Sequence, residues 1–164
     1  MPRIVIADTN VLINLAIADA LPLLAQVPDL RFVVCADVLG ELTDSAQSAG
    51  VHASIANGAL SVVAFETTAE LATYAALRRI IGQGEAAALA LAEHRGFAIA
   101  SDEKRVFRRE ATARLGAGHI VTTADVFVAC IRAGAITIEH ADEALRTLAA
   151  NRFTLPFTSF RDVL

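Results

Sequence analysis

Tryptophan is missing from this 164-residue chain, and Tyr74 is its one tyrosine. So little aromatic surface offers few platforms on which bases could stack. Cysteine is nearly as scarce: Cys35 and Cys130 stand far apart, in apolar surroundings and without metal-ligand spacing. They read as buried reduced thiols, not as a disulfide framework or a zinc site. His52, His94, His119 and His140 lack zinc-site spacing as well. Hydrophobic residues make up 55% of the chain, yet no run approaches the roughly 18 apolar residues that a membrane helix requires. A cationic leader followed by a small-residue cleavage site is also lacking, so the expectation is a cytoplasmic protein with no membrane partner. Cations are in the minority, 14 Lys and Arg against 18 Asp and Glu, for a net charge of −4. The balance does not advertise a nucleic-acid binder, although local clustering decides where a charged ligand binds.

Signatures of several enzyme classes are absent too. Ser45 and Ser101 lack the nucleophile-elbow pattern. Gly82-Gln83-Gly84 lacks the rest of a phosphate-cradling glycine fingerprint. An aspartyl-phosphate enzyme would carry a second acid two residues after Asp8, where Asn10 stands.

What is present is an alternation of short apolar runs and helical periodicity. Strands are predicted at Arg3–Asp8, Arg31–Cys35, Leu60–Phe65, Phe97–Ala100 and near His119–Val121. Helices are predicted over Val11–Ala16 behind a Thr9-Asn10 cap, Asp19–Gln26, and Ala36–Ala49 stopped by Gly50. Further helices fall at Val51–Asn57, at Thr67–Ile81 before a Gly82/Gly84 break, and at Glu85–Arg95. The remainder fall at Ser101–Leu115, Ala124–Ala133 and Glu139–Ala149, with an apolar, irregular tail from Asn151 that is expected to pack back. With no repeat and no linker, the chain reads as one α/β domain over residues 1–164, a mostly parallel sheet covered on both faces.

In such a sheet ligands bind at the carboxyl ends of the strands. Asp8 ends the first predicted strand and Asp102 follows Phe97–Ala100, so two strands deliver acids to one edge. Glu41 lies on the helix after the second strand, and Glu85 begins a helix after the glycine pair. Converging, these four would form a hard-oxygen site suited to Mg²⁺ or Mn²⁺. Taken singly, each has a plainer use: Asp8 and Asp102 as helix caps, Glu41 as a solvated residue, Glu85 as a complement to a helix dipole.

The segment Asp8-Thr9-Asn10-Val11-Leu12-Ile13 resembles the opening motif of PIN domains, the fold of VapC-type toxin ribonucleases. Val38-Leu39-Gly40-Glu41-Leu42 resembles the second motif of that family, Gly84 to Ala92 (GEAAALALA) the third in its GE-containing form, and Ser101-Asp102-Glu103 the fourth. The four motifs span nearly the whole chain in order. The resemblance implies a three-layer α/β/α domain and an Mg²⁺- or Mn²⁺-dependent ribonuclease. It gives Asp8, Glu41, Glu85 and Asp102 metal-binding and catalytic roles, with Thr9 or Asn10 in support. Glu103 is an alternative to Asp102, and Asp125 a further candidate with a competing use as a helix cap. A small antitoxin partner and a homodimer are implied as well. A catalytically inactive PIN fold that binds nucleic acid or protein is the other reading.

Lys104, Arg105, Arg108 and Arg109, with Arg114 beyond them, concentrate positive charge just after the fourth motif. Positions 105, 108 and 109 share a helix face, which suits an RNA backbone. The alternative is a solvated face paired with Glu103 and Glu110.

Overall fold

The computed structural model describes residues 1–164. Five apolar segments form strands: β1 (Arg3–Ala7), β2 (Leu30–Cys35), β3 (Leu60–Val63), β4 (Ala98–Ala100) and β5 (Ile120–Val121). They make one sheet in the order β3-β2-β1-β4-β5, and all four pairings are parallel. The sheet is therefore entirely parallel, where the sequence suggested mostly so. Val5 sits in the middle of it, opposite Phe32 on one side and Ala98 on the other. The inner strands carry apolar residues on both faces because helices cover both. The result is a three-layer α/β/α arrangement.

Eight helices supply those layers. They are α1 (Thr9–Ile17), α2 (Ala36–Gly40), α3 (Ser45–Ala56), α4 (Thr68–Leu77), α5 (Gln83–Arg95), α6 (Arg105–Leu115), α7 (Thr123–Arg132) and α8 (Ile138–Ala150). None is long and apolar enough to cross a membrane. Helix α5 is the most enclosed, with Ala86 through Ala92 fully buried. Its alanines allow close approach, and it packs on α2, α4 and three strands at once. Residues from every layer join one apolar core of 42 buried side chains.

Several boundaries differ from the sequence expectation for local reasons. Asp8, in extended conformation, is the residue that caps α1, rather than Thr9 or Asn10. The single helix expected at Ala36–Ala49 is two, because Asp44 accepts the Gln47 N–H and starts α3 afresh. Gly50 then lies inside α3, where an added Cβ would stand 3.3 Å from Leu21. Gly82 and Gly84 do not break a helix; they begin α5, which ends on the left-handed Gly96. Residues 101–104 form a loop, and α6 starts only at Arg105.

Two clamps hold the periphery. Glu70, 3% exposed, takes the Arg95 guanidinium at 2.7 Å and ties α4 to α5, which holds its carboxyl down at about 2. At the other end the tail folds back as expected. Phe160, 1% exposed, packs against Phe127 and Phe157. Asp142 receives both the Ser159 hydroxyl and the Phe160 N–H.

Candidate functional site

In strand order the chain runs outward from β1 through β2 to β3, then returns to place β4 on the other side of β1. The gap beyond the carboxyl ends of β1 and β4 is therefore a topological switch point, the usual ligand crevice of an open parallel sheet. Asp8 follows β1 there and Ser101-Asp102-Glu103 follow β4, joined by the Asp8 N–H donating to Ala100 O at 2.9 Å. Because every strand here leads into a helix, the amino ends of helices gather at the same edge. Their unpaired N–H groups favour negative charge.

Asp8 is the buried centre of the arrangement, 1% exposed. Its carboxylate accepts the Thr9 N–H at 2.8 Å and the Ser101 hydroxyl at 3.2 Å. Burial pushes its pKa up to about 7, and the negative charges of Glu85 and Glu103 add to the rise. Desolvation alone disfavours a carboxylate, and like charges nearby compound the effect.

Glu41 occupies the position just after α2, at the helix end that disfavours an anion. It is held instead from across the site, by the Thr9 hydroxyl at 2.6 Å and the Gly84 N–H at 2.7 Å. Gly84 is a requirement of this contact: a Cβ there would fall 2.5 Å from Glu41 Oε2. Glu85 is next on α5 and half-buried, reaching back to the Gly82 N–H at 3.2 Å. Its pKa is raised, first by burial and then by the charges of Glu103 and Glu41.

The pair after β4 divides its work. Asp102 turns toward α7, accepting from Thr123 N at 2.9 Å and Thr123 Oγ1 at 2.5 Å, and from Asn14 Nδ2 at 3.1 Å. Glu103 turns toward α1, where Asn10 Nδ2 donates to it, while its own N–H reaches Ser101 Oγ at 3.1 Å. Asp8 thus feels the charges of Glu85 and Glu103, and Glu85 those of Glu103 and Glu41. Asp102 stands in the same loop as Glu103, held by Thr123 and Asn14. Asp125 stands apart: exposed, it makes a capping box with Thr122 and lines a different hollow with Val27 and Pro28.

Sequence reasoning did not single out Asn14, Ser101 or Thr123 as site residues, yet these buried polar groups orient the acids. Asn14 had a signal, being a polar residue four positions after Asn10 in an otherwise apolar helix.

The donors are all oxygens and carry several charges, which fits a hard divalent cation in kind. In their present hydrogen bonds no three acidic, His or Cys side chains are set to hold one ion. A cation would have to draw carboxylates off the protein donors they now engage.

On α6 the basic residues follow the expected face. Lys104, Arg105 and Arg108 make no ion pair, and Arg109 reaches only Glu110, at 3.6 Å. Arg114 is instead committed to Glu93 at 2.8 Å. Arg105 has a left-handed backbone, φ 55°, two residues after Glu103.

A family model described as PIN domain matches residues 4–164. No curated protein and no solved structure matches the chain.

Proposed function

Since the chain belongs to the PIN-domain family, a fold of nucleases, we propose that residues 1–164 form one PIN-like domain acting as an Mg²⁺- or Mn²⁺-dependent endoribonuclease. The observation that carries the reading is the charge coupling among Asp8, Glu85 and Glu103 at the switch point between β1 and β4. Carboxylates so placed need compensation by protons or by a cation. In this reading Asp8, Glu41, Glu85 and Asp102 hold the ion, with Glu103 the alternative in the same loop, which Thr123 and Asn14 fix through Asp102. When bound, the ion supplies neutralisation of the phosphate charge and lowers the pKa of the attacking water. Asp8, near 7, takes up a proton at its carboxyl when no cation is present and releases it when one binds. Thr9 and Asn10 keep Glu41 and Glu103 aimed inward. The unpaired cations of α6 hold the RNA backbone. The same reading extends to the toxin of a toxin–antitoxin pair, with a small antitoxin partner and a homodimer.

Purified protein is expected to cut single-stranded RNA with Mg²⁺ or Mn²⁺ and to stop with chelator or with Asp8→Asn. Equal cutting by Asp8→Asn and the parent would assign the activity to another site or to a contaminant. One observation favours a second reading, an inactive binding module: every acid already has protein donors and no three are set around one ion. RNA binding without cutting, at any concentration of either cation, is the result that reading requires.

A further inference from the structure

Beside the acids lies a hollow of about 310 Å³ whose walls include Asn10, Asn14, Asp102 and Glu103 on one side and Arg152 and Phe153 on the other. The second wall comes from the far end of the chain, just past α8. Phe153 N donates to Leu148 O at 3.0 Å and Arg152 N to Ala149 O at 3.1 Å. These two bonds close the helix with a reversal that requires a left-handed residue between them, and glycine is the usual occupant. Here the residue is Arg152, at φ 68°. An L-residue in that conformation costs free energy that glycine escapes. Phe153, partly buried against the core, anchors the reversal and so fixes where the arginine begins.

The guanidinium itself is exposed and makes no ion pair, although two carboxylates line the same hollow. An arginine fork matches a phosphate at least as well as a carboxylate. The opposite wall carries Asn10 and Asn14, whose amides serve Glu103 and Asp102, and the unpaired Lys104 and Arg105 follow Glu103 in the chain at the start of α6. We propose that Arg152 is a phosphate-binding residue for the RNA strand, gripping a backbone phosphate next to the one that is cut. The inference rests on the nuclease reading and adds a contact that none of the four acidic motifs contains.

Because the backbone at position 152 suits glycine, Arg152→Gly removes the guanidinium without straining the fold. The test compares parent, Arg152→Gly and Arg152→Lys by thermal melting, by anisotropy of a fluorescein-labelled single-stranded RNA across a salt series with chelator, and by cleavage with Mn²⁺. The glycine variant is expected to melt at or above the parent and to bind RNA about tenfold more weakly, the loss of one charged contact. Its plot of log affinity against log salt is expected to be shallower by about 0.7, one phosphate contact on a single strand. KM should rise while kcat holds, since the contact is made equally before and during the reaction. The lysine variant should keep the parent's salt slope. An unchanged affinity and slope in Arg152→Gly overturns the contact while leaving the nuclease reading in place. A melting temperature that falls along with affinity assigns Arg152 a structural role and also overturns it. A parent that neither binds nor cuts RNA removes both proposals together.

Discussion

Asp8 is the residue whose environment departs furthest from that of a free carboxylate. A group whose pKa climbs on folding binds more protons folded than unfolded, so stability falls as pH rises between the two values. For Asp8 that window runs from about 4 to about 7. With chelator present, Asp8→Asn is therefore expected to be more stable than the parent at pH 8, by about 1–3 kcal/mol, and to lose the advantage near pH 4. Denaturant unfolding at pH 4, 6 and 8 measures it, and a gap that does not change with pH sinks the account. Asparagine keeps an oxygen for the Thr9 N–H, so the cap on α1 is retained. At this scale the places of Asp8 and Glu85 in the fold were legible, because one ends a strand and the other begins a helix, while Glu41 falls just past the end of α2 and not within a helix. The directions of Asp102 and Glu103 were not legible. Neighbouring residues in a loop point in different directions, and the partners that hold them, Thr123 for Asp102 and Asn10 for Glu103, lie 21 and 93 residues away in the chain.

At the scale of elements, the contact between Glu41 and the first turn of α5 decides the shape of the site. Nothing in the sequence near Gly84 shows why that position is glycine, since the reason is the carboxylate arriving from α2. Gly84→Ala is expected to displace Glu41 and to lower cleavage about a hundredfold, as small misplacements at reacting centres do. Stability should move little, because alanine is the better helix former by about 1 kcal/mol. Parallel melting and single-turnover cleavage assays separate the two, and full activity in a folded Gly84→Ala protein would refute the role given to that contact. The strands and most helices were readable from periodicity, which burial enforces. The split between α2 and α3 was not, because apolar spacing continued through it while Asp44 imposed a new start.

Over the whole molecule, the closing segment ties distant parts together. Phe160 joins α7 and α8 through Phe127 and Asp142, although composition alone gave the tail only an apolar, irregular character. Phe160→Ala is expected to cost about 3–5 kcal/mol, the usual penalty for emptying a buried aromatic site. Urea unfolding would report it, and a loss under about 1 kcal/mol would mean the tail is only draped on the surface. The same segment bears on how the site is completed. Asp102 and Glu103 precede Asn151 to Phe153 in the chain by nearly 50 residues, and the two stretches meet only as walls of one hollow. On the proposed role of Arg152, a chain whose last turn has not docked carries its acids but lacks one of its holds on RNA. Docking of the turn after α8 beside the loop after β4 is thus a folding step that RNA binding depends on and that the placing of the acids does not.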